Sequence, residues 1–159
     1  MKRFDYLSVI LYDMGMVFGF LGIICLVPLI VCIFFQEWSM VPALLTAPVT
    51  FFLLSLPLLK VSVREELTPP LSVTLVSVAL SWFVLAIVGA LPFVFGLAMP
   101  FTESVFEAMS GWTGSGFTMI ASPDSIPKSL LFWRSFTQWI GGIGIIAFGI
   151  SLRRKTHVT

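Results

Sequence analysis

The eight residues GWTGSGFT (111–118) hold three glycines and three hydroxyl side chains inside an otherwise apolar stretch of chain. Two chemistries suit such a segment. In the first, Gly114 and Gly116 let the backbone adopt φ values closed to other residues, so that successive carbonyls point to one side. Rings of such carbonyls can replace the hydration shell of a cation. In the second, Ser115 is a nucleophile, which needs a base within hydrogen-bond reach. The single histidine, His157, sits in the charged tail far along the chain, so hydrolytic chemistry is excluded. No His, Cys, Asp and Glu grouping has metal-ligand spacing, and no nucleotide-binding glycine motif occurs. The sequence reads as a non-enzyme with no bound cofactor.

The elements that must hold this segment are apolar. Of 159 residues 58% are hydrophobic and only 11% charged, against about a quarter charged in an ordinary soluble domain. Such a chain cannot coat a water-facing surface, and the lipid bilayer is its expected surrounding. Four hydrophobic segments are legible, at about 14–35, 40–59, 71–97 and 129–152, each near or above the roughly 20 residues that cross a ~30 Å hydrocarbon core. The run after Lys2 and Arg3 is too long for a signal peptide and lacks a small-residue cleavage site. Pro42, Pro48 and Pro57 predict kinks in the second segment. Cys25 and Cys32 lie on one helical face, too far apart along the axis for a disulfide. Lys2 and Arg3, Lys60 and Arg64, and Arg153, Arg154 and Lys155 all fall on one side if there are four crossings. The positive-inside rule makes that side cytoplasmic, with both termini there. No basic patch for nucleic acid is present.

Residues 100–128 lie on the outer side and do not read as an ordinary loop. FTESVFEAMSGW (101–112) carries helix start signals, either Thr102 as N-cap or Ser104 with Glu107 in capping-box spacing. Phe101, Val105, Met109 and Trp112 recur along one apolar side. Twelve helical residues rise about 18 Å, enough to enter a bilayer but not to cross it. The glycines follow, then a turn-rich return, ASPDSIPKS. Helix in and irregular chain out describe a re-entrant loop, with the negative end of the helix dipole aimed at its mouth. The alternative is an interfacial helix ended by Gly111 as its C-cap, with no ion.

FEAMSGWTGSGFTMI followed by DSIPKSLLFWRSFTQWIGGIGII resembles the first pore-loop repeat of the TrkH/KtrB potassium-uptake family. That pattern is a pore helix ending in S-G-x-T-T-T-G-x-T, then a helix with W-R and Q-W-x-G-G-x-G. The likeness covers about 71–150, and the two leading helices resemble the hairpin before that repeat. It implies that the backbone oxygens of Thr113, Gly114, Ser115, Gly116 and Phe117 form this repeat's share of the K+ sites, with Gly116 as filter glycine. Glu107, Thr118 and Arg134 are the expected filter supports. Two of the usual three threonines are replaced by Gly114 and Ser115, which removes bulk and stiffness. Arg134 and Gln138, one turn apart, either brace the loop through Glu107 or a loop carbonyl, or Arg134 snorkels to the interface. Gly141, Gly142, Gly144 and Gly149 allow close helix approach; Trp82, Trp112, Trp133 and Trp139 read as belt or packing residues.

The expected fold is an all-α integral membrane protein: two N-terminal transmembrane helices (1–66), then one helix–re-entrant pore loop–helix unit (67–152) with pore helix at about 101–112 and filter at about 113–118, then a basic cytoplasmic tail (153–159). The expected function is potassium, or less selective monovalent cation, transport across a prokaryotic cell inner membrane. Four repeats surround the pore in the family and this sequence has one. Further repeats are therefore expected partners, from a longer chain of which this is a truncated part or from other copies in a homotetramer. A non-conducting accessory or remnant protein is the remaining alternative. The resemblance also implies a cytosolic nucleotide-binding regulatory subunit.

Overall fold

Long runs without charge leave the backbone to satisfy its own hydrogen bonds, which helices do within one segment. The computed structural model describes the backbone of residues 2–61 and 70–156. Arg64, the boundary expected between 66 and 67, and His157 lie outside the described residues, as do the side chains of Lys2, Arg3, Arg153, Arg154 and Lys155. The order is α1 (Lys2–Ile24), α2 (Pro28–Phe35), a 3₁₀ turn at Trp38–Met40, α3 (Val41–Leu59), α4 (Leu71–Leu97), α5 (Phe101–Thr113), a 3₁₀ turn at Pro123–Ser125, and α6 (Lys128–Thr156). The chain is all-α.

The first apolar segment begins earlier than hydropathy suggests and is broken. α1 starts at Lys2, and its early turns bury Val9, Ile10 and Met14 against the core. Pro28 has no N–H for the Ile24 carbonyl. The chain crosses that gap on three-residue bonds, from Leu26 to Ile23 and from Val27 to Ile24. Cys25 and Cys32 therefore flank a break rather than share one regular helix; both are free thiols and fully buried.

Three stretches among the described residues are long and apolar enough to span a membrane: Tyr6–Phe35, Trp38–Leu59 and Leu71–Leu97. The fourth expected crossing is α6, 29 residues long but the least apolar of the long helices, with Arg134, Thr137 and Gln138 in its first half. It also continues to Thr156, through residues that read as a separate tail. α3 keeps its helix across Pro48 and Pro57, and Pro42 sits in its first turn. Near Pro48, the Thr46 and Thr50 hydroxyls donate to the Ala43 and Thr46 carbonyls at 2.6 and 2.7 Å.

α1 packs on α3, α3 on α4, and α5 lies between α4 and α6, while α2 runs against α6. The core runs through these contacts as Phe18 against Phe51 (centroids 5.8 Å), Leu44, Ala47, Phe93, Leu130 and the Trp112–Trp133 pair, edge to face at 6.5 Å. Trp139 is exposed and stands outside it.

Candidate functional site

α5 does not start as its sequence suggests. Pro100 is the N-cap and makes no side-chain cap, so neither Thr102 nor a Ser104–Glu107 capping box begins the helix. The Ser104 hydroxyl instead donates back to the Met99 carbonyl at 3.3 Å. The buried side also differs from the apolar stripe. Ser104, Glu107, Ala108, Gly111 and Trp112 are buried, whereas Phe101 is 53% exposed. Among these, Ala108 and Gly111 let α4 and α6 come close, at Gly89 and Thr137 respectively.

The helix ends at Gly114, not Gly111, which is buried inside it. Gly114 takes φ 72°, its N–H donates to the Gly111 carbonyl at 3.0 Å, and the Ser115 N–H donates to the Ser110 carbonyl at 3.2 Å. This pair of bonds is a Schellman cap, and its left-handed position suits glycine. Gly116 repeats the left-handed geometry at φ 79°. Between them the chain reverses without regular structure, and 113–119 stay exposed.

What holds this irregular backbone is a buried carboxylate. Glu107 is fully buried. It accepts the Met119 N–H at 2.7 Å and the Thr118 hydroxyl at 3.0 Å, and it forms an ion pair with Arg134 Nε. The same guanidinium donates through Nη2 to the Gly116 carbonyl at 3.1 Å and to the Phe117 carbonyl at 3.4 Å. Ser110, in the last turn of α5, donates to the Phe117 carbonyl at 2.5 Å. Arg134 therefore reaches into the loop and does not snorkel outward. Its positive charge behind the carbonyls is offset by Glu107, so the brace adds no net charge there.

Of the five carbonyls expected as cation ligands, that of Gly116 accepts one bond from behind and keeps a further lone pair, whereas that of Phe117 accepts two, from Ser110 and, at the longer 3.4 Å, from Arg134. The Gly114 and Ser115 carbonyls accept no bond from the described residues. Thr113 closes α5, its hydroxyl donating to Met109. Gln138 lies behind Gly116, its Nε2 3.9 Å from where a Cβ would stand. Sequence reasoning passed over Ser110, whose signal was a hydroxyl in the last turn before the glycines. It also treated four α6 glycines alike. A Cβ on Gly141 would collide with the Trp112 carbonyl, whereas Gly142, Gly144 and Gly149 have nothing within 4 Å.

Residues 46–154 match the TrkH family, described as cation transport protein. The chain belongs to the TrkH family. An uncharacterized cation transporter of Methanocaldococcus jannaschii is 37% identical over 138 residues, 86% of this chain and 28% of that protein. The Trk system potassium uptake protein TrkH of Escherichia coli is 43% identical over 77 residues, 47% of this chain and 16% of that one. The crystal structure of the potassium transporter TrkH from Vibrio parahaemolyticus matches with a TM-score of 0.84 at 26% identity, covering 92% of this chain and 31% of that chain. The chain thus spans less than a third of the length of these relatives. TrkH family members are membrane transporters, not enzymes, so this chain is an all-α protein of the lipid bilayer.

Proposed function

We propose that this TrkH-family chain contributes one selectivity-filter repeat to a pore that passes potassium or a less selective set of monovalent cations. The observation that carries the reading is the brace: a buried Glu107–Arg134 pair fixes the Gly116–Phe117 backbone, just past the C-terminal end of α5. That end carries partial negative charge and repels anions. The carbonyls of Thr113, Gly114, Ser115, Gly116 and Phe117 are the proposed cation ligands, and α5 with 114–127 is the proposed re-entrant loop. The exposure of 113–119 suits a surface completed by three further repeats, in the same polypeptide or in other copies. The potassium uptake named for the Escherichia coli relative supports the choice of ion. With Gly114 and Ser115 in place of threonines the loop carries less bulk, and we assign it weaker discrimination between potassium and sodium. The proposed setting is a cell inner membrane with both termini cytoplasmic and a nucleotide-binding regulatory subunit on that side.

The test is cation flux through an assembly that contains this repeat. Gly116→Val places a β-branched residue at φ 79°, a conformation costing about 1–2 kcal/mol for any side chain and more for this one. Flux or its potassium preference should be lost while the protein still inserts. Unchanged potassium uptake would remove the filter assignment.

A further inference from the structure

α6 begins without a cap of its own. Pro127 stands at the position whose carbonyl accepts the first bonds of the helix, from Leu130 and Leu131 at 3.1 Å each. A proline side chain has no acceptor for the free N–H groups of the first turn. Glu37 takes that role from the other half of the molecule. One carboxylate oxygen accepts the Lys128 N–H at 2.8 Å; the other accepts the Ser129 N–H at 2.9 Å and the Ser129 hydroxyl at 2.6 Å.

Glu37 is itself held. Gln36 takes the left-handed φ of 57° that ends α2, and the Glu37 N–H donates to the Cys32 carbonyl at 2.9 Å. α2 packs along α6, so the turn and the helix it caps are fastened side by side. Arg134 lies six residues further along α6, about 9 Å in rise. Its bonds to the Gly116 and Phe117 carbonyls are 3.1 and 3.4 Å long. A slide of α6 carries the base of the Arg134 side chain with it, and the 3.4 Å bond already stands at the edge of hydrogen-bond reach.

We infer that Glu37 is a positioning residue for the 116–119 loop: by capping α6 across the molecule it sets the height and rotation of that helix, and thereby where Arg134 meets the loop carbonyls. The N-terminal hairpin is then a clamp on the loop and not only a lipid-facing companion. The consequence for transport rests on the filter reading above; the mechanical claim does not.

Hydrogen exchange of the whole chain in lipid nanodiscs tests it without requiring conduction. The probes are the Met119 and Ile120 amides, bonded to Glu107 and to the Thr118 hydroxyl and far from Glu37 in sequence. Glu37→Gln sets an NH₂ group among N–H donors. It should speed exchange at 128–129 and, by about tenfold, at 119–120. Amides in the middle of α3 should not change. Ser129→Ala removes one of the three contacts and should act in the same direction more weakly, which guards against a Glu37→Gln protein that does not fold. Adding Pro127→Asp to Glu37→Gln gives α6 a local cap without the tether. It should restore 128–131 and leave 119–120 fast. Faster exchange confined to 128–129, or recovery of 119–120 by the local cap, would overturn the clamp. A loosened loop with unaltered cation selectivity in a conducting assembly would instead overturn the filter reading and leave the clamp standing.

Discussion

The α1–α3 half and the α4–α6 half of this protein solve the same problem, backbone in an apolar surrounding, by opposite means. In the first half nearly every residue is helical, so the backbone satisfies itself, and packing is left to Phe18, Phe51, Leu44 and Ala47. A buried side-chain bond between α1 and α3 runs there from Ser55 to the Gly15 carbonyl at 2.9 Å. In the second half the chain leaves α5 at Gly114 and has no long regular element until Lys128. There the Met119 and Ile120 N–H groups and the Gly116 and Phe117 carbonyls are taken up by Glu107, Thr118, Ser110 and Arg134. Glu107 is the one buried charged side chain among the described residues. A buried charge is costly and persists where paired and bonded. Irregular backbone between membrane helices is the reason it is here.

The sharpest way to break this contrast is Glu107→Gln. It strands the Arg134 guanidinium beside two carbonyls and weakens the hold on Met119 and Thr118. Removing one member of a buried pair costs roughly 3–5 kcal/mol, taken toward the lower end because the Arg134 side chain keeps 20% exposure. Ser55→Ala in the other half should cost about 0.6 kcal/mol, as membrane hydrogen bonds average. Equilibrium unfolding in mixed micelles should rank the two at least threefold apart. Equal costs would mean that the polar network is ornamental.

Gly141 and Gly142 make a finer comparison inside one helix. Gly141→Ala drives a methyl into the Trp112 carbonyl and must push α5 away from α6, at about 1–3 kcal/mol. Gly142→Ala meets open space and should be neutral or slightly stabilising, since alanine is the better helix former. The same unfolding experiment reads both, and equal effects would show that helix propensity, not close approach, governs this stretch.

The smallest effect lies where the halves meet. Partial desolvation raises the pKa of Glu37, but the Ser129 hydroxyl, the backbone N–H groups of Ser129 and Lys128, and the Lys128 charge outweigh it and bring the carboxyl below its ordinary 4.5. A depressed folded value means stability that is fully present above about pH 4.5 and lost as pH falls through the lower folded value. Thermal unfolding from pH 6 to pH 3 should show this loss. The Glu37→Gln protein should lack that component, and an identical pH profile would deny Glu37 its cap.

Much of the fold was legible in hydropathy and length. The third segment, 71–97, coincides with α4, and the second with α3 to within a residue, because lipid-length apolar runs have few alternatives to helix. The short helix before the glycines was legible too, and the positive φ at Gly114 and Gly116 follows from residue type. The N-cap of α5 and its buried face were misread because both depend on neighbours. Glu107 has the spacing for a local capping box, yet Arg134, Thr118 and the Met119 N–H together offer it more than one backbone N–H does.

By itself, then, the amino-acid sequence determined an all-helical membrane chain with one glycine-rich interruption, since period, length and glycine conformation are properties of adjacent residues. Tertiary structure alone decided which of four glycines touches Trp112, that Arg134 turns inward to the loop, and that Glu37 caps a helix 91 positions away. Those are meetings of residues distant in the chain. A carboxylate's choice among donors is settled by the geometry of packing, which no local pattern encodes.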